Sequence, residues 1–217
     1  MMKKKNSSIF LVVFAGVFLF SMACQSVQVP FLSTPTPSST ITPTATSTPT
    51  ITPSPTVPPI PNISNAALAL MDLPKGFEVI PNPPAATETE KFYGYVDTKS
   101  FQIIMGTSIA VMTDDDRIGF DLMLNNPDML IELFAAEDMK FSNARPIEGM
   151  DIYGDKSSGF MADTNIDGLQ MVAEFFVMRE KNVGGIFINL HRVNKPGAVT
   201  TEEVVAILVQ KIASVLK

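Results

Sequence analysis

The most specific chemical pattern in the chain is Asp163-Thr164-Asn165-Ile166-Asp167-Gly168, with Glu174 at the twelfth place. Oxygen ligands at alternate positions, a glycine at the sharp bend and a distal carboxylate are what a calcium loop requires. The flanking sequence argues for a different use. Calcium loops of this formula join two helices, whereas the residues after Gly168 read as a strand, and Gln170 stands where an aliphatic anchor belongs. Asn, Asp and Gly also collect in β-turns because they tolerate left-handed backbone. Asp163, Asn165, Asp167 and Glu174 are therefore expected to form a turn and the start of a strand, with a calcium-dependent structural module as an alternative.

The other candidates are sparser. Asp114-Asp115-Asp116 is expected to open a helix, where carboxylates favour the positive end of the dipole, with a cation site as the alternative. His191 is the only histidine and stands beside Arg192 near a strand end, so zinc coordination by several nitrogen or sulfur ligands is not available and a surface or edge residue is expected. No GxSxG, HExxH, Walker loop or GxGxxG occurs. Gly184-Gly185 falls inside an apolar run and is expected to permit close packing or a bulge. With 22 acidic residues a carboxylate pair for hydrolysis is conceivable, but no spacing selects one. No catalytic residue, cofactor or metal is assigned on this basis.

The single cysteine, Cys24, follows a positive start (Lys3, Lys4, Lys5) and an unbroken apolar run, Ile9–Phe20. That run is about 15 residues even when extended to Ala23, short of the roughly 20 a spanning helix needs. Ser21-Met22-Ala23-Cys24 resembles the lipobox of bacterial lipoproteins, departing from it at Ser21, where leucine is usual. The resemblance implies cleavage after Ala23 and a lipid on the Cys24 thiol, hence an extracytoplasmic chain anchored to a membrane. Several acyl chains, at about 0.8 kcal/mol per buried methylene, would hold it there.

Composition divides the chain. Between Asn6 and Met71 there is no Asp, Glu, Lys or Arg, and all 22 acidic residues follow from Asp72 onward. Residues 1–23 are expected to be a signal peptide, and 24–62 a lipid-anchored, disordered linker. Residues 63–217, roughly 155 in number, suffice for one core and a single α+β domain. The linker carries ten prolines in the 33 residues from Pro30 to Asn62, most of the rest being Thr and Ser. Proline fixes φ and removes donors, so this stretch favours extended polyproline II and could reach roughly 100 Å at about 3.1 Å per residue. Its hydroxyls could accept glycans. Once Lys3, Lys4 and Lys5 are cleaved away, 13 basic residues face 22 acidic ones, about −9. Such a surface repels phosphate backbones, and nucleic acid is discounted as a partner.

Within 63–217, Ser64-Asn65 could cap a short helix over Ala66–Asp72, and Phe77–Ile80 reads as a strand. Phe101–Met112 alternates as a strand, with Phe101, Ile103, Met105, Ile109 and Val111 on one face. Ile118, Leu122, Met123, Met129, Leu130, Leu133 and Phe134 recur at helical spacing, interrupted at Pro127. Gly168–Arg179 and Val183–Arg192 read as a hairpin, apolar on both faces, and Thr200 with Glu203 forms a capping box for a final amphipathic helix. The expected fold is an antiparallel sheet covered on both faces by helices.

The segments Asp72–Phe77 (DLPKGF), Ile152–Phe160 (IYGDKSSGF) and Phe175–Ile188 (FFVMREKNVGGIFI) resemble those of a set of largely uncharacterised bacterial lipoprotein domains. These are similar in element order to the PsbP-like α/β/α sandwich. The resemblance implies a binding or assembly role in the envelope, with a partner protein or small ligand. A carboxylate-dependent extracytoplasmic hydrolase is the alternative.

Overall fold

The computed structural model describes residues 61–111, 113–135, 139–195 and 197–217. The segment expected to be a signal peptide (1–23), Cys24 and nearly all of the expected linker (24–62) lie outside the described residues.

Among the described residues seven strands form one antiparallel sheet: β1 (Glu78–Val79), β2 (Glu90–Asp97), β3 (Gln102–Ala110), β4 (Phe141–Pro146), β5 (Lys156–Ile166), β6 (Leu169–Glu180) and β7 (Val183–Arg192), in the order β1-β2-β3-β7-β6-β5-β4. Among the described residues three α-helices accompany them: α1 (Asp114–Asn125), α2 (Pro127–Phe134) and α3 (Thr201–Val215). β4 to β7 form a meander whose last strand inserts against β3. The α1–α2 pair connects the end of β3 to the start of β4.

The centre of this order explains the apolar runs in the sequence. β6 and β7 are interior strands between two helical layers, so both sets of alternating side chains are buried. Phe175 and Ile186 join the core under α1–α2, while Phe176 and Phe187 join the core under α3 and the N-terminal segment 63–73. The edges differ. β1 has two residues, and β4 is exposed along most of its length and breaks register between Ser142 and Arg145, devices that discourage edge-to-edge pairing.

The expected glycine contact is present on both faces. A Cβ at Gly184 would lie 2.5 Å from the Phe120 ring of α1, and one at Gly185 would lie 3.0 Å from Ile212 and 3.1 Å from Leu208 of α3. Two adjacent glycines thus let a helix approach the same strand from each side.

Several expectations need correction. Ala66–Asp72 is not an α-helix: a turn and bend at Ala66-Ala67 lead through Leu68 and an extended Ala69 to a single 3-10 turn, Leu70–Asp72, and another such turn, Ile63–Asn65, precedes it. Ala66, Ala67 and Leu68 are buried there, and backbone carbonyls of the stretch accept from Ser108 and Tyr95. β2 and β4 carry no strong alternation and are additional to the strands read from sequence. β5 begins at Lys156, inside the run 147–159 (IEGMDIYGDKSSG), whose composition is that of turns. In α1 the buried face is Phe120 and Leu124, while Ile118 and Leu122 face solvent. The cause is tertiary: the Phe120 ring seats on the bare backbone of Gly184, and Asp121 pairs with Arg179 of β6 (Nε to Oδ1, 2.9 Å). Those two anchors set the rotation of the helix against its simple apolar count.

Candidate functional site

The sheet register places Asn189 of β7 opposite Ile104 of β3 on one side and Glu174 of β6 on the other. Period-two alternation then puts Gln102, two residues before Ile104, and His191, two residues after Asn189, on the same α3-facing surface. Polar groups in so apolar a layer need partners, and they find one another. The Gln102 amide donates to Asn189 Oδ1 (2.8 Å) and to the Val199 carbonyl (2.7 Å), and accepts from the Val199 N–H (3.2 Å). Asn189 Nδ2 donates to Thr201 Oγ1 (2.9 Å), whose hydroxyl donates in turn to Glu174 Oε2. His191 Nε2 lies 3.6 Å from the same carboxylate oxygen, an ion-pair distance rather than a hydrogen bond.

The chain of contacts therefore runs from β3 through β7 to the first residue of α3 and back to β6. Gln102, Asn189 and Thr201 are buried, while Glu174 and His191 keep partial access to solvent. Gly197 belongs to this arrangement: a Cβ there would stand 2.4 Å from the Gln102 amide, so the loop before α3 can lie on that amide only without a side chain.

Electrostatics separate the two titrating members. Glu174 is pushed up by burial, but the imidazole and the Thr201 hydroxyl outweigh this and hold it below its ordinary value. The Glu174 carboxylate raises His191, against the opposing effect of burial. The pair is poised to be ionic.

Beside this network stands a cation–aromatic rim. Phe101, in the turn between β2 and β3, is 46% exposed and holds a left-handed backbone (φ 57°), which a bulky residue adopts only under constraint from its surroundings. The Arg192 guanidinium and the Lys195 ammonium lie 5.5 and 5.7 Å from its ring centroid. Lys195 also donates to the Lys99 carbonyl (2.7 Å), fastening the β7–α3 loop to the β2–β3 turn. The result is an exposed aromatic flanked by two cations on a protein that is otherwise acidic.

No family model and no curated protein matches this chain. Among solved structures it is similar to LpqN, described as involved in cell envelope biogenesis of Mycobacterium tuberculosis, at 12% identity and a TM-score of 0.24. The match covers 66% of this chain and 76% of that one. At that level neither fold nor role is transferred.

The residues of the calcium formula do not converge on one point. Asp163 lies on β5 and is taken up by β4, with Asn143 Nδ2 at 2.9 Å and Arg145 Nη1 at 3.2 Å. Those two partners hold its carboxyl below the ordinary range. Asp167 and Gly168, both with positive φ (50° and 83°), form the two-residue turn between β5 and β6. Asn165 accepts from the Gly168 N–H (2.8 Å). Glu174 belongs to the network described above. Among the described residues, no group of three or more His, Cys, Asp or Glu side chains is arranged to hold a metal ion. Asp114, Asp115 and Asp116 form the first turn of α1, and Asp116 closes a capping box with Thr113.

Sequence reasoning took His191 for a surface or edge residue and did not connect it with Glu174. It missed Gln102, Asn189 and Thr201 altogether. The available signal was a side-chain amide in each of two largely apolar strands, which a buried location obliges to find partners. It also missed the second polar cluster, in which Arg179 reaches Asp121, Asp155 (Nη1 to Oδ2, 3.4 Å) and the Lys181 carbonyl (3.2 Å), tying α1 to the β6–β7 turn. An open groove of about 600 Å³ lined by residues 61–64 and 86–88 lies next to the start of β2, at the far end of the sheet from the Phe101 rim.

Proposed function

We propose that this chain is an envelope lipoprotein, acylated at Cys24 and held off the bilayer by its Pro/Thr stalk, whose PsbP-like domain binds a partner rather than transforming a substrate. The observation that carries the reading is the fate of the Thr201 hydroxyl. It is the nucleophile type closest to the His191–Glu174 pair, yet Thr201 is 2% exposed and its oxygen is engaged on both sides, accepting from Asn189 and donating to Glu174. A group so held orders the start of α3; it is not offered to a substrate.

The Phe101 rim supplies a surface for binding. An aromatic face with two cations beside it suits a carboxylate- or phosphate-bearing group of a partner, and exposed Val193 adds apolar contact. Its position also supports the reading. Residues 61–64 lie against residues 86–88 at the end of the sheet where β2 begins, whereas Phe101 lies where β2 ends. A stalk entering at Pro61 therefore leaves the rim at the opposite end of the domain.

Two measurements on the full-length protein in a bacterial host test this reading. Mass spectrometry of the N-terminal peptide should find a diacylglyceryl-modified Cys24, and Cys24→Ser should move the protein out of the membrane fraction. Chemical crosslinking on intact cells should trap complexes with the wild type that Phe101→Ser/Arg192→Glu loses without a change in melting temperature. An unmodified cysteine, or complexes indifferent to the double substitution, would overturn it.

A second reading rests on the solvent access left to Glu174 and His191: a hydrolase working through this pair. Turnover in a panel of ester, amide and glycoside substrates, abolished by His191→Ala, would establish it in place of the first.

A further inference from the structure

We infer that the outward face of α1–α2 is a docking surface for a cationic amphipathic helix of another protein. The face exists because of the helix rotation described above. With Phe120 and Leu124 turned inward, Ile118 and Leu122, one turn apart, stand outward at 58% and 55% exposure, and Met129 at the start of α2 is 40% exposed. A Cβ on Gly119, between the first two, would meet no atom within 4 Å, so the surface there is open. Large aliphatic side chains exposed in this way, next to one another on one helix, are the kind of patch that marks a contact site.

The charges around the patch select the occupant. Residues 113–134 contain six carboxylates, Asp114, Asp115, Asp116, Asp121, Asp128 and Glu132, against the single cation Arg117. Arg117 is already paired with Asp114 (2.9 Å). Asp121 is turned inward to Arg179 and Lys156; Asp115, one turn before Ile118 on α1, and Asp128 and Glu132, on either side of Met129 on α2, are exposed acidic groups of the same helix pair. An anionic bilayer surface would be repelled by these groups. A second copy meeting the face through a two-fold axis would bring the same acids against themselves. A helix with a leucine-type stripe flanked by Lys or Arg satisfies both features at once: the apolar side chains cover Ile118 and Leu122, and the cations meet the carboxylates.

The probe is a 14-residue Lys/Leu amphipathic helical peptide carrying a fluorophore, together with its Glu/Leu twin of identical apolar pattern. Fluorescence anisotropy against the full-length protein in non-ionic detergent should show saturable binding of the Lys/Leu peptide and none of the twin. Affinity should weaken at least tenfold between 50 and 300 mM salt, as charge steering requires. Ile118→Ser/Leu122→Ser should weaken binding tenfold or more, and Asp115→Lys/Glu132→Lys should do the same. All four positions are exposed, so the melting temperature serves as the control for folding. The inference is overturned if neither peptide binds, if both bind alike, or if binding is indifferent to both double variants. It is equally overturned if sedimentation shows a dimer that Leu122→Ser disperses, which would make a second copy the occupant, or if the wild type sediments with anionic vesicles in a Leu122-dependent way.

Discussion

Glu174 and His191 illustrate how a residue's meaning depends on its neighbours. In sequence they are 17 positions apart and belong to different strands; in the sheet they share one oxygen, with Thr201 as third partner. Their opposite shifts make a pH prediction with a defined sign. Glu174 is held below its ordinary 4.5, so its contribution to stability is complete above that value and is lost as pH falls through the folded-state value. His191 is raised above its ordinary 6.5, so its contribution is complete below 6.5 and is lost as pH rises through the raised value. The pair therefore stabilises most between about pH 4.5 and 6.5. Melting temperatures of the wild type should fall from pH 6 to pH 8, and those of His191→Gln should change distinctly less over that interval. Parallel slopes for the two proteins would show that the pair is not ionic in the folded state.

At the scale of elements, β7 and its two glycines decide how the layers meet. Gly184 is pressed by an aromatic ring and Gly185 by the ends of two aliphatic side chains, and this difference predicts unequal sensitivity. Gly184→Ala forces a Cβ into the Phe120 ring at 2.5 Å, so ring and helix must shift; we expect a loss of about 1–3 kcal/mol in denaturant unfolding, typical of an overpacked core. Gly185→Ala meets Ile212 and Leu208 at 3.0–3.1 Å, where flexible termini can give way, and should be milder. Phe120→Leu in the Gly184→Ala background should recover part of the loss. Equal effects of the two glycine substitutions would contradict the assignment of Phe120 as the rigid contact.

Considered whole, the molecule is an acidic domain carrying two surfaces of different character. The cation–aromatic rim of Phe101 lies at one end of the sheet, and the α1–α2 pair, with its exposed apolar and acidic side chains, covers one of its sides. The N-terminal segment is part of the fold rather than a continuation of the stalk: Ile63, Ala66 and Leu68 are buried, and the Leu68 carbonyl accepts from Tyr95 (2.8 Å). If residues 30–60 form the extended proline-rich stalk that their composition implies, removing them should leave the melting temperature within about 1 °C of the parent. Extending the deletion to residue 68 should lower it sharply, because it exposes the core beneath α3. A large drop from the first deletion would mean that the stalk packs on the domain.

The class of fold, an antiparallel sheet with helices on both faces, was legible in the linear order of residues because periodicity is a local property. The apolar doublets of β6 and β7 could only be interior strands, Thr200 and Glu203 could cap only a helix that follows them, and Pro127 had to divide α1 from α2. Asp167-Gly168 was readable as a turn for the same reason, since positive φ at two successive residues is a requirement those side chains meet. What needed the tertiary structure were relations between distant residues. β2 and β4 became strands because neighbours offered them hydrogen-bond partners, and Ala66–Ala69 did not close into an α-helix because its carbonyls at Ala66 and Leu68 accept from Ser108 and Tyr95. The face that α1 buries was decided by Gly184 and Arg179, more than 50 positions away, against the helix's own apolar count. The network of Gln102, Asn189, Thr201, Glu174 and His191 exists only because three strands and a helix start bring those side chains onto one surface. Local backbone preference is written residue by residue, whereas contact is a property of the closed fold.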